Sequence, residues 1–309
     1  MEAIEVRGLR KEYGAVVAVD SLDLRVHRGE VFALLGPNGA GKTTTVEILE
    51  GHRRATSGHV RVLGYDPQSG GRALRERLGI VLQDAGFEEQ FTVTELVRLH
   101  GRTYPRRFDT SELIDLVGLG SKADARVRTL SGGQRRRLDL ALGLVGVPEL
   151  LFLDEPTTGF DPAARRVAWH VVEQLRDAGT TVLLTTHDMD EAAHLADRVA
   201  VMVHGRLVAL GTPAELSAGR SAAVVTFRLP PDAVLGDLPP VDGGIEADGL
   251  DLRLTTTRPT AALHALTGWA LGRGVEMPSL DVRTPSLEDV YLGLVGPPDA
   301  QADDPVPTR

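Results

Sequence analysis

Apolar and polar residues alternate over positions 3–7 and again over 16–26, the period of strands with one face buried and one face wet, so these segments read as antiparallel strands. Positions 31–35 break the alternation: Val-Phe-Ala-Leu-Leu runs without a polar residue into Gly36, which predicts a short strand buried on both faces. A helix is expected over 43–50 and a further strand over 79–83, ending at Gln83. From Asp84 to about Pro148 the period turns helical, with helices over 93–104, 111–117 and 132–145. Strands return at 150–154, 181–185 and 199–203, separated by helical stretches at 162–178 and 188–196. Strand–helix alternation of this kind predicts a mostly parallel sheet covered by helices. A last strand is expected over 205–211. Thr212-Pro213 then opens a short helix, with Thr212 as its N-cap.

A boundary follows near 217–221. Beyond it the pattern predicts strands at 223–229, 250–256 and 275–283, with helices over 259–272 and 286–294: a small α+β domain over 221–295. Residues 296–309, rich in Pro and Asp, are expected to be disordered. The first 217 residues form the larger domain, with 84–148 as a helical subdomain within it, and no internal repeat is evident.

Charge sharpens this division. Residues 221–309 hold 6 Arg against 13 Asp and Glu, and so carry seven of the chain's nine net negative charges. Phosphate repels such a surface, which argues against nucleic acid as a partner. Arginine outnumbers lysine 31 to 3, so Lys42 stands out as a lysine kept where arginine is the habit. No cysteine is present, which excludes disulfides and thiolate metal sites. No apolar run approaches the roughly 18 residues of a membrane-spanning helix, and the acidic start Met1-Glu2-Ala3 gives no expectation of a secretory signal.

The candidate chemistry lies in three stretches. Gly36-Pro37-Asn38-Gly39-Ala40-Gly41-Lys42-Thr43-Thr44 follows a predicted strand and opens a helix, as a phosphate-binding loop does. Its glycines let successive backbone N–H groups point at a β-phosphate, assisted by the dipole of the following helix. Lys42 supplies a cation to the β- and γ-phosphates, and the Thr43 hydroxyl is a ligand for Mg²⁺. Asp154 ends the strand at 150–154, where a carboxylate meets Mg²⁺. Glu155, one position on in an extended chain, faces the other way and can polarise water for attack on a γ-phosphate. Between them stands Leu130-Ser131-Gly132-Gly133-Gln134. Ser131 is suited to cap the following helix, and its hydroxyl together with the glycine amides makes an anion site. The run Arg135-Arg136-Arg137 reads as a solvated helix face.

In order and spacing these stretches resemble the nucleotide-binding subunits of ABC transporters, over about the first 215 residues. The fold the resemblance implies is a P-loop α/β ATPase: a mixed, mostly parallel sheet with an antiparallel β subdomain and a helical subdomain. It further implies that Tyr13 stacks on adenine and that Gln83 touches Mg²⁺ and senses the membrane partner. Ser131, Gly132, Gly133 and Gln134 would close over ATP held by the opposing subunit, Asp161 would cross the dimer interface, and His187 would contact the γ-phosphate and position Glu155. Phe160 stands where the family has leucine, so packing at that interface is expected to differ.

Within the family the chain is similar to the ATPases of ABC-2-type exporters, the daunorubicin-resistance and multidrug group. The second carrier of that likeness is Thr284-Pro285-Ser286-Leu287-Glu288-Asp289-Val290-Tyr291-Leu292, which by itself reads as a capped amphipathic helix. The likeness implies a homodimer at the cytoplasmic face of the membrane, bound to a separately encoded permease and coupled to it through 84–148 and Gln83. An importer ATPase would share every catalytic residue and remains the alternative. Soluble ABC ATPases of ribosomes or DNA fit less well: the chain has one nucleotide module, no long insertion and no zinc-binding cysteine.

Overall fold

The alternation near the N-terminus produces two long paired strands, β1 (Glu2–Tyr13) and β2 (Val16–His27), antiparallel to each other. The apolar run after them is β3 (Val31–Leu35), buried at all five positions, and α1 (Lys42–Leu49) follows the glycine-rich loop. Next come β4 (Ser57–Val62), α2 (Gly71–Arg75) and β5 (Leu78–Val81). Three helices, α3 (Val93–Gly101), α4 (Thr110–Leu116) and α5 (Gly132–Leu144), pack on one another. The chain then alternates through β6 (Leu150–Asp154), α6 (Pro162–Asp177), β7 (Thr181–Thr186), α7 (Met189–Leu195), β8 (Arg198–Val203), β9 (Arg206–Gly211) and α8 (Pro213–Ala218). These coordinates are a computed structural model and describe residues 1–81, 86, 88–218, 222–230, 233–283 and 291. The chain divides into two units, Met1–Pro213 and Ala214–Arg309.

In the first unit, six strands form a sheet in the order β5-β6-β7-β3-β8-β9, parallel except for β9. Its central strands β3 and β7 are buried throughout, as parallel strands flanked by helices must be. A second sheet, β2-β1-β4, is antiparallel, and its inner residues Ile4, Val6, Leu22 and Leu24 share a core with Phe32, Leu34, Ile48 and Phe152. Two strands of the parallel sheet carry chemistry at their carboxyl ends: β3 runs into the glycine-rich loop and β6 ends at Asp154. Ligands in open parallel sheets bind at these ends of the strands.

The second unit has its own antiparallel sheet: β10 (Ala223–Arg228), β11 (Gly244–Asp248), β12 (Asp251–Thr256) and β13 (Asp281–Arg283), in the order β11-β12-β10-β13. One helix, α9 (Pro259–Arg273), closes its core, where Val225, Phe227, Leu254 and Leu266 meet.

The sequence expectation lacks β4, α2 and β11, and one expected strand is cut short. β4 and β11 do not stand out as strands: each is an edge of its sheet and keeps most of its side chains in solvent, so no apolar face is written into it. The strand expected over 275–283 shrinks to Asp281–Arg283, because Pro278 and Ser279, the latter at φ 56°, form a turn before it. Gln83, the end of its strand, the helix at 286–294 and the tail at 296–309 lie outside the described residues, apart from Tyr291.

Candidate active site

The loop between β3 and α1 is built from backbone that tolerates no side chain at two points. Gly41 has φ 94°, and a Cβ there would lie 2.3 Å from the carbonyl oxygen of Ala18; one at Gly36 would lie 2.4 Å from that of Met202. Glycine is therefore required at both. Within this turn Lys42 is buried, and its Nζ donates to the carbonyl oxygens of Gly36 at 2.7 Å and Pro37 at 3.2 Å. Burial lowers the Lys42 pKa, and the nearby carboxylates of Glu155 and Asp154 act in the opposite direction. The cation and both candidate carboxylates thus share one neighbourhood.

Asp154 ends β6, and its Oδ1 accepts a hydrogen bond from Thr185 Oγ1 on β7. The next residue departs from expectation. Glu155 is not extended: its φ is 46°, in the left-handed region that costs a non-glycine residue about 1–3 kcal/mol. Its N–H donates to the Thr185 carbonyl at 3.1 Å and is 3.2 Å from Thr185 Oγ1, which draws the turn toward β7. The carboxylate is held at both oxygens. Oε1 lies 3.2 Å from His187 Nδ1, and Oε2 accepts from Thr158 Oγ1 at 3.2 Å. A carboxylate only accepts, so Nδ1 is the protonated ring nitrogen in this pair. The Glu155 side chain is 13% exposed against 54% for His187, so the histidine faces outward over the acid.

Further along the turn, Thr157 Oγ1 donates to Glu191 Oε1 at 2.7 Å, and Trp169 Nε1 reaches the same oxygen at 3.3 Å. Glu191 is buried on α7, and burial raises its pKa. Asp161 lies at the exposed start of α6, where its Oδ1 accepts from the Ala164 N–H at 2.8 Å.

A cavity of about 650 Å³ is lined by residues 38–44 of the loop together with Ala18, Glu155, Thr158 and His187. The structure therefore brings Asn38, Gly39, Ala40, Gly41, Lys42, Thr43 and Thr44 to the Glu155–His187 pair. Tyr13, Asp154, Asp161 and the 131–134 stretch do not line it. Tyr13 is 40% exposed, with Lys11 Nζ 4.8 Å and Arg53 Cζ 5.3 Å from its ring centre.

Ser131 caps α5 in a reciprocal box: its Oγ accepts from the Gln134 N–H at 3.3 Å, and Gln134 Oε1 accepts from the Ser131 N–H at 2.9 Å. Ser131 and Gly132 are exposed. The basic run after them is not a solvated face. Arg135 donates to the Arg128 carbonyl at 3.2 Å and Arg137 to that of Gly118 at 2.9 Å. Arg136 turns inward: its side chain is 13% exposed, pairs with Asp139 at 3.2 Å and donates from Nη2 to the carbonyls of Asp154 at 2.7 Å and Glu155 at 3.2 Å. Asp139 is itself buried, which pushes its pKa up to about 6 against the pull of Arg136. Sequence reasoning missed this pair. The available signal was the i, i+3 spacing of Arg136 and Asp139, with Asp139 inside the apolar face of the helix. Phe160 lines a narrow crevice beside Arg136, Leu140 and Pro156.

Comparison with known proteins shows the family to which the chain belongs. Residues 19–158 match the ABC transporter family, and residues 223–286 match the C-terminal domain of ABC transporter domain-containing protein-like sequences. The daunorubicin/doxorubicin resistance ATP-binding protein DrrA of Streptomyces peucetius is 42% identical over 314 residues, covering 98% of this chain and 94% of that protein. The Nod factor export ATP-binding protein I of Cupriavidus pinatubonensis is 38% identical over 300 residues, covering 95% and 90%. Among solved structures, cbiO1 of Clostridium perfringens, part of the ABC transporter complex cbiONQ, superposes with a TM-score of 0.62 at 30% identity, over 70% of this chain and 91% of that one. This chain belongs to the ATP-binding subunits of ABC transporters and is an ATPase of that family. No helix among the described residues is long and apolar enough to cross a membrane.

Proposed function

We propose that two copies of this chain close head to tail on ATP and power export through a separately encoded ABC-2-type permease at the cytoplasmic face of the membrane. The observation that carries this reading is which residues share the cavity and which do not. The loop at 38–44 and the Glu155–His187 pair line it, while Ser131–Gln134 stand outside it at the exposed start of α5. The missing half is supplied by a second copy. Export is favoured by the relatives named for daunorubicin resistance and for Nod factor export, which this chain matches across both of its units.

Each residue then has a task. The backbone N–H groups of the loop and Lys42 bind the β- and γ-phosphates. Tyr13 stacks on adenine. Glu155 accepts a hydrogen bond from the attacking water and orients it in line with the γ-phosphorus, and His187 holds that carboxylate from the outer side. Ser131, Gly132, Gly133 and Gln134 cap the γ-phosphate bound to the partner copy, and Asp161 meets the partner across the interface. Residues 1–217 form the ATPase domain, 84–148 its permease-facing helical subdomain, and 221–295 a second domain.

Thr43, Asp154 and Gln83 would hold Mg²⁺. The donors fit: hydroxyl, carboxylate and amide oxygens are hard ligands, and Thr185 fixes the orientation of Asp154. Bound there, Mg²⁺ would offset phosphate charge.

Co-expression with an ABC-2-type membrane permease tests the assignment. The chain is expected in the membrane fraction with that protein and in the soluble fraction without it. Fractionation that ignores the membrane protein would overturn the reading.

A further inference from the structure

Successive carbonyl oxygens of the catalytic turn converge on one guanidinium. Arg136 Nη2 serves those of Asp154 and Glu155, and Nε lies 3.5 Å from that of Pro156. In an extended strand neighbouring carbonyls point to opposite sides, so one cation does not meet a consecutive run of them. The left-handed φ of Glu155 is what gathers them. Arg136 in turn is fixed from behind by Asp139, in a crevice walled by Leu140, Leu153 and Pro156. Such a crevice excludes water, and exclusion of water strengthens charge-assisted hydrogen bonds.

We propose that Arg136 is the positioning residue for Glu155: its planar fork selects the left-handed turn and so aims the carboxylate into the nucleotide cavity. Arg136 stands five residues after Ser131 on the helix that Ser131 caps, so a shift of that helix is felt at Glu155 of the same chain. Each copy's signature helix then sets its own acid while closing over its partner's nucleotide. The proposal rests on Glu155 being the group that orients the attacking water.

The test compares Arg136→Met, Arg136→Lys and Asp139→Asn, each in the wild-type and in the Glu155→Gln background, with steady-state MgATP hydrolysis and equilibrium ATP binding. Arg136→Met is expected to lower kcat by about 10²-fold, the effect of a misplacement near 1 Å, with KM and ATP affinity within about threefold. Arg136→Lys should recover little of this, because an ammonium cannot replace a planar fork. It also keeps the positive charge beside Asp139 and so reports on the proposal if Arg136→Met fails to fold. Asp139→Asn, which loosens the fork without removing it, should lose about tenfold. In the Glu155→Gln background Arg136→Met should cause no further loss, since groups acting through one residue are not additive.

An unchanged kcat in Arg136→Met, full rescue by lysine, or the same fold-loss in both backgrounds would overturn the proposal. If Glu155→Gln alone hydrolyses ATP at the wild-type rate, the reading of Glu155 fails first, and that result is distinct from any of these.

Discussion

The glycine-rich loop and the start of α5 are finished in opposite ways. The loop at 36–44 is closed on itself: its cation is buried and held by its own carbonyls, and its acid is braced by His187 and Thr158. The start of α5 is capped by Ser131 and Gln134, yet it stands exposed and outside that cavity. A preformed half-site and an outward-facing cap are what a chain needs if its site is completed by a second copy. The difference teaches that good local order at both places does not mean that both serve the same nucleotide.

Breaking the first region should give the larger loss. Lys42→Ala removes a cation from buried phosphate contacts, and ATP affinity is expected to fall by about 10–100-fold, as charged hydrogen bonds of about 1.5–3 kcal/mol predict. Filter binding or calorimetry reads this, and unchanged affinity in a folded variant would remove Lys42 from the site.

The second region can be broken more selectively. Aspartate caps helices about as well as serine but repels phosphate. Ser131→Asp should therefore keep the melting temperature and the ATP affinity of the single chain while ATP-driven dimerisation weakens by at least about tenfold. A fall in single-chain affinity would instead put Ser131 in its own chain's site.

A further effect concerns stability beside the site, away from nucleotide binding. Glu50, at the end of α1, is buried, and burial, helped by the charges of Asp154 and Glu47, pushes its pKa from 4.5 to about 8. Between those values the folded chain keeps a proton that the unfolded chain has lost, so stability falls as pH rises through this window, by on the order of 3–5 kcal/mol. Glu50→Gln should flatten that slope in denaturant titrations at pH 5 and pH 8. An unchanged slope would contradict the burial argument.

Much of this was legible in the residues. The apolar runs of β3 (five residues) and β6 (four, before Asp154) and the glycine spacing between β3 and α1 announce the sheet and its loop directly, because burial on both faces and φ above zero leave few residue choices. The Glu155 turn was not legible. Pro156 disfavours the right-handed helical region for the residue before it, which points to extended chain; the left-handed alternative depends on Thr185 and Arg136, 30 and 19 residues away in sequence. Arg136 was misread for a related reason: three arginines in a row look solvated, and only the helix packing shows which one turns inward.

The central claim is that the cap on α5 completes a site on another copy. Sedimentation of Glu155→Gln in MgATP tests it most directly, with Glu155→Gln/Ser131→Asp run beside it. The account predicts that the single variant sediments at twice the mass of one chain while the double variant stays at the mass of one. A single variant that remains monomeric in saturating MgATP, or a double variant that dimerises equally well, would contradict it.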